Sequence, residues 1–210
     1  MPEIRSALER AYDIGRYPTD AEPGVTLREL VDWDLVQVAA WRGRAEALHE
    51  AVAEALGVRP PARPNQLAGA HGVEVLTVAP QRLWCLGPVG DERLAALAAG
   101  VDEDTGCVTQ LGHSHVRLRI AGPGARRLLA QEVAIDLAGP AFPTGTIART
   151  PFHHVPVLLQ STDADADTFD LYVPRTFAAS TWAYLLDLAR AHGYEILNRC
   201  SPAEAGEGRD

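Results

Sequence analysis

The chain has 210 residues, 28 of them acidic and 19 basic, giving a net charge of -9, and it is 47% hydrophobic. That is a globular balance with room for one large domain or two small packed halves. The acidic excess argues against nucleic acid as the main partner, and the complete absence of lysine excludes Schiff-base chemistry, pyridoxal phosphate attachment and a P-loop lysine.

In chain order, the apolar stripe Ile4, Ala7, Leu8 and Ala11 predicts a short helix over Glu3 to Tyr12. Pro18 and Pro23 follow in a loop, so residues 1–24 read as an N-terminal arm, either mobile or packed on a partner. Val25–Leu30 and Leu35–Ala40 read as strands around an Asp32-Trp33-Asp34 turn. A helix is expected from Arg44 to Leu56, with Leu48, Ala51, Val52 and Ala55 on one face and Gly57 as its C-terminal cap. Val58–Gly72, with three prolines, reads as a loop. Val73–Val78 and Arg82–Leu86 follow as strands, and Asp91 as the N-cap of a helix over Glu92–Ala99.

A second half begins near Gly106. His115–Ile120 alternates cleanly, with Val116, Leu118 and Ile120 on one face and His115, Arg117 and Arg119 on the other. Gly122-Pro123-Gly124 turns the chain into a helix through Leu128 and Leu129. Thr146–Phe152, Val155–Gln160 and Thr168–Val173 then read as an antiparallel meander, closed by a helix from Arg175 to His192 and a Gly193 cap. Its broad apolar surface (Ala178, Trp182, Leu185, Leu186 and Ala189, with Phe177, Tyr184 and Leu188 beside them) fits either an internal layer or a face shared with another subunit. The expected fold class is therefore α+β, with two ferredoxin-like lobes and mostly antiparallel sheets. The first lobe covers residues 25–105 and the second 106–197, and a polar, disordered tail covers 198–210.

Candidate chemistry is sparse. Cys85, Cys107 and Cys200 suggest neither a disulfide framework nor a zinc site. With no signal-peptide core and no apolar run long enough to span a bilayer, a cytoplasmic protein with no membrane partner is expected. His113-Ser114-His115 places two histidines at i and i+2, but no third ligand is at useful spacing. His153 and His154 are adjacent, so on a strand they face opposite ways. Asp163, Asp165 and Asp167 resemble the start of a calcium loop, yet Thr168 and Pro174 stand where glycine and glutamate belong. Gly122-Pro123-Gly124 precedes a helix, but its proline removes a donor and the dinucleotide fingerprint is incomplete. The candidates for specific recognition are Arg117 and Arg119, with Arg175 nearby in kind. Their guanidinium forks suit a folate tail, an acidic partner surface or neighbouring Asp and Glu side chains.

Three segments carry a family resemblance: VRLRIAGPGARRLL (Val116–Leu129), FPTG (Phe142–Gly145) and TFDLYVPRTFA (Thr168–Ala178), supported by GVTLREL and RLWCLGP. In this order the chain resembles the gamma subunit family of heterotetrameric sarcosine oxidase. The resemblance implies a fold like the folate-binding lobes of glycine-cleavage aminomethyltransferases. It implies alpha, beta and delta subunits as partners, in a complex that oxidatively demethylates sarcosine to glycine. Hydrogen peroxide is released, and the methyl carbon leaves as formaldehyde or methylenetetrahydrofolate. FAD, FMN, NAD, zinc and tetrahydrofolate are expected elsewhere in that complex, with no cofactor and no catalytic residue in this chain. The alternatives are a stand-alone folate-binding or aminomethyltransferase-like protein, in which Arg117 and Arg119 clamp glutamyl carboxylates, and the gamma subunit of a related N-methyl amino acid oxidase.

Overall fold

The structure is a computed structural model that describes residues 5–18, 22–163 and 165–207. In chain order its elements are β1 (Gly15–Tyr17), β2 (Val25–Leu30), β3 (Trp33–Ala40), α1 (Ala45–Leu56), β4 (Gln66–Ala70), β5 (Val73–Ala79), β6 (Arg82–Pro88) and α2 (Glu92–Gly100). Then come β7 (Gly106–Gln110), β8 (His115–Ala121), α3 (Ala125–Leu129), β9 (Ile147–Phe152), β10 (Val155–Asp163), β11 (Thr168–Pro174), α4 (Ala178–Ala189), β12 (Tyr194–Ile196) and α5 (Glu204–Glu207). Single 3-10 turns, Arg175–Phe177 and Arg190–His192, extend α4 at both ends, so the predicted closing helix is present at its full length.

The chain divides into two compact units. One draws on Met1–Val31, Ser114–Thr144 and Arg149–Cys200, the other on Asp32–His113, Gly145–Ala148 and Ser201–Asp210. Each is built on one sheet. The 5-stranded sheet has the order β4-β5-β6-β3-β7, antiparallel throughout, with α1 and α2 as its crossovers. Without the edge strand β4, this is the ferredoxin-like arrangement of two βαβ units. The 7-stranded sheet has the order β1-β12-β2-β8-β11-β10-β9, with β12 and β2 parallel. Here β8, β10, β11 and β12 form the same pattern, and β2 is wedged between β12 and β8.

Two strands thus lie in the other sheet from the lobe in which the sequence places them. Val25–Leu30, expected in the lobe covering 25–105, pairs with β8 and β12. Gly106–Gln110, expected in the lobe covering 106–197, is the edge partner of β3. Cross-strand register accommodates β2 there: Leu27 falls opposite Ile120, extending an apolar row across β2 and β8.

Local chemistry explains the elements. Gly57 closes α1 in the left-handed region at φ 67, and its N–H donates to the Ala53 carbonyl. The Asp91 side chain accepts the Arg93 N–H and caps α2. Leu48, Val52 and Leu56 bury the face of α1 against Val36, Val38, Val75, Leu83 and Cys85 of the sheet and Leu94 and Leu97 of α2. Each such side chain contributes about 1.5–3 kcal/mol. On the opposite sheet face Leu35, Leu76 and Leu86 are buried as well. Trp33 is buried, whereas Trp41 is 50% exposed.

Residues 5–17 are no loose arm. The backbone over residues 7–11 turns rather than forming a regular helix, and residues 3 and 4 of the expected helix lie outside the described residues. Ser6 accepts the Leu8 N–H on its hydroxyl, and the Ala11 N–H donates to the Leu8 carbonyl, which closes a turn in place of an α-helix. Leu8 is fully buried, and β1 pairs with β12. In the tail, Ser201 and Glu204 form a capping box that starts α5, and residues 208–210 lie outside the described residues.

Candidate functional site

The most concentrated ionic cluster lies on one face of the 7-stranded sheet. Arg117 and Arg119 stand two apart on β8, so their side chains share a face. Register places Asp170 of β11 opposite Arg119 and Tyr172 opposite Arg117. Both guanidiniums close on Asp170. Arg117 donates from Nε at 2.9 Å and lies 2.7 Å away through Nη2. Arg119 donates from Nε at 2.7 Å and from Nη2 at 3.0 Å. The side chains of Arg117, Arg119 and Asp170 are 2%, 12% and 0% exposed. The face beyond Val116, Leu118 and Ile120 is therefore covered too.

The cluster continues sideways. Arg117 sits over the Tyr172 ring, 5.1 Å from its centroid. The Tyr172 hydroxyl donates to Gln160 Oε1 at 2.7 Å, and Gln160 lies opposite Asp170 on β10. On the far side, Arg28 of β2 stands opposite Arg119, and its Nη1 donates to Cys200 Sγ at 3.1 Å. Burial pushes the Asp170 carboxyl up, but attraction to Arg117 and Arg119 and their hydrogen bonds more than offset it, holding the group below the usual carboxylate range. An ionised carboxylate clasped by two guanidiniums has no accessible basic lone pair near neutral pH, so it cannot act as a general base. What the cluster does is tie β8 to β11. Of the three acceptors considered for Arg117 and Arg119, the one present is an internal carboxylate, and a folate tail would have to displace it.

A second cluster anchors the N-terminal segment. Glu29, 3% exposed, takes Arg199 Nε on one carboxylate oxygen and the Ser6 hydroxyl on the other. Arg199 lies over the Tyr12 ring at 4.2 Å, and Tyr12 stacks on Trp182 at 5.2 Å. The Tyr12 hydroxyl donates to the Leu197 carbonyl and accepts the Glu29 N–H. Burial, first among several influences, pushes the Tyr12 phenol up. Arg175 is occupied nearby, donating to the Arg5 carbonyl. The main stripe of α4, with Ala178, Trp182, Leu185 and Ala189 fully buried, is an internal layer of this unit, while Phe177 is 46% exposed.

The histidine motifs resolve individually. Ser114 Oγ and His115 Nδ1 are 2.7 Å apart, and burial followed by Arg149 lowers the His115 pKa to about 4. His115 is thus neutral at pH 7 and a weak base. His153 and His154 are not strand residues facing opposite ways. They form the turn between β9 and β10, with His153 at φ 55, both exposed and with ring centroids 3.8 Å apart. Asp163 accepts the N–H groups of Asp165 and Ala166, and Asp167 pairs with Arg126 at 2.7 Å, so these carboxylates shape a hairpin turn. Among the described residues no group of three or more His, Cys, Asp or Glu side chains is arranged to hold a metal. The Gly122-Pro123-Gly124 turn leads into a five-residue helix, and the Gly124 N–H donates to the Gly24 carbonyl, so this turn does not fit a dinucleotide phosphate. No helix among the described residues is long and apolar enough to cross a membrane.

Comparison with known proteins gives these features a context. The family described as "Sarcosine oxidase, gamma subunit family" matches residues 42–191. The sarcosine oxidase subunit gamma of Corynebacterium sp. (strain P-1) is 32% identical over 139 residues, which is 66% of this chain and 68% of that protein. In fold, the chain is similar to one in the heterotetrameric sarcosine oxidase from Corynebacterium sp. U-96 in complex with pyrrole 2-carboxylate. That likeness has a TM-score of 0.78 at 24% identity, covering 90% of this chain and 96% of that one. The glycine cleavage system aminomethyltransferase T from Bartonella henselae shares the fold at a TM-score of 0.59 and 16% identity, over 84% of this chain and 48% of that one.

Proposed function

The chain belongs to the sarcosine oxidase gamma subunit family, and from this we propose that it acts as a non-catalytic subunit, completing an assembly whose reactive groups lie on other chains. The observation that carries the reading is the Arg117–Asp170–Arg119 cluster: the strongest recognition groups in the sequence are paired internally, holding the sheet together. In the complete enzyme, alpha, beta and delta subunits carry FAD, FMN, NAD, zinc and the tetrahydrofolate site. Sarcosine is oxidised there to glycine, with hydrogen peroxide and formaldehyde or methylenetetrahydrofolate as the other products. The three cysteines, all free, suit the reducing cytoplasm.

The test is co-expression of this chain with the three other subunits, carrying a tag on this chain alone. Recovery of the flavin-bearing subunits in a fixed ratio supports the proposal. Recovery of the chain by itself, binding flavin or tetrahydrofolate stoichiometrically, overturns it.

A further inference from the structure

We propose that β7 is a docking edge, to which an extended segment of another oxidase subunit adds as a new strand of the 5-stranded sheet. The inference rests on the subunit reading above and names the surface that serves it. Each sheet has two edges, and their treatment differs. On β4 the outer edge is covered by the chain's own return: the Leu67 N–H donates to the Gly145 carbonyl, and the Ile147 N–H to the Asn65 carbonyl. β9 carries Arg149 and Pro151, and β1 is three residues long with Arg16 at its centre. Charge, proline and shortness are the ordinary means of keeping an edge from pairing. β7, with the sequence GCVTQ, has neither charge nor proline.

Register shows which groups of β7 are open. The Trp41 N–H donates to the Thr105 carbonyl, and the Leu111 N–H to the Leu35 carbonyl. In an antiparallel pair, bonded residues alternate. Cys107 and Thr109 therefore bond to Ala39 and Gln37 of β3, while Val108 and Gln110 turn their N–H and C=O groups outward; the Gly106 N–H is already taken by the Asp102 carbonyl. Among the described residues no backbone bond is made to the outward groups of Val108 and Gln110. Cys107, Thr109 and Gln110 are exposed. A paired strand would satisfy the open groups and gain directional hydrogen bonds, the mode by which peptides extend sheets elsewhere.

An anchor stands at the start of the edge. The Trp41 indole N–H donates to the Glu103 carbonyl at 2.7 Å, which holds the ring beside the turn leading into β7 while half of the residue stays exposed. A fixed aromatic of this kind is a favourable interface residue. Charge selects the occupant. The turn into β7 is Asp102-Glu103-Asp104 and the whole chain carries -9, so a second copy would bring like charges together. The fitting partner is a neutral to basic extended segment with an apolar side chain to cover Trp41.

The experiment is residue-resolved hydrogen exchange on the full chain, alone and in the assembled complex. The Cys107 and Thr109 amides are protected in both states. The Val108 and Gln110 amides exchange freely in the chain alone and slow by about 100-fold or more in the complex, as paired strand amides do. A companion variant, Gln110→Pro, deletes only an outward N–H of an exposed residue. It weakens assembly about tenfold or more, while Gln110→Ala, which keeps the N–H, assembles like the parent. Outward amides that stay unprotected in an intact complex overturn the edge proposal and leave the subunit reading standing. Protection that arises in a homodimer instead overturns the choice of occupant. A chain that recruits no partner overturns both readings.

Discussion

Replacing Asp170 with asparagine removes one charge and almost no volume. Two guanidiniums, 2% and 12% exposed, then share a neutral acceptor whose amide end repels their donors. Breaking a buried ion pair by removing one partner costs about 3–5 kcal/mol. The slight exposure of Arg119 points to the lower end, about 3 kcal/mol, and for a chain of this length that corresponds to about 6–12 °C in Tm. Urea unfolding followed by near-ultraviolet dichroism measures the loss, with an unchanged slope as the sign that the unfolded state is the same. The pH dependence supplies a second reading. The folded carboxyl is held below its unfolded value, so its contribution is complete above about pH 4 and disappears as pH falls through the lower folded value. Asp170→Asn therefore flattens the acid limb of the stability curve. A loss under about 1 kcal/mol at pH 7, or an unchanged acid limb, refutes the role given to this cluster.

His115 has a folded pKa of about 4 against an ordinary 6.5, so the unfolded chain binds a proton that the folded chain does not. Stability then declines as pH falls between those two values, and His115→Gln removes that decline in a pH-resolved denaturation series. Trp182→Ala loses a fully buried indole, its stack on Tyr12 and its donation to the Ala11 carbonyl. A loss of about 3–5 kcal/mol in urea unfolding is expected, together with easier proteolysis ahead of β1. Burial pushes the Cys85 thiol up to about 12, while Cys107 is exposed. A thiol reagent at pH 8 therefore modifies Cys107 in the folded protein and Cys85 only after unfolding, as peptide mass mapping would read.

Local signals were legible where a feature is decided within a few residues. Gly57 and Asp91 mark helix ends because a cap is a short-range bond, and α4 was read at full length from its own periodicity. Long-range register was not. Arg117 and Arg119 stood out as a pair, but their acceptor is 53 and 51 residues away, and a single sequence does not set β8 against β11. The complementary spacing of Asp170 and Tyr172 within an apolar strand was the available signal. β2 reads as belonging with β3 because only a short turn joins them, yet its partners are β8, in the middle of the chain, and β12, near its far end. β4 and β12 were missed because QLAGA is rich in small residues and YEI is three residues long, so neither carries a period. The N-terminal segment was misread for another reason: Leu8 has the spacing of a helical stripe, but the Ser6 hydroxyl captures its N–H.

Sarcosine-dependent hydrogen peroxide production, measured on the assembled complex, on the other three subunits alone and on this chain alone, is the decisive assay. The account predicts full turnover with all four chains, a large loss without this one, and none from this chain by itself. Peroxide formation by the isolated chain would contradict it, and so would undiminished activity of the three remaining subunits.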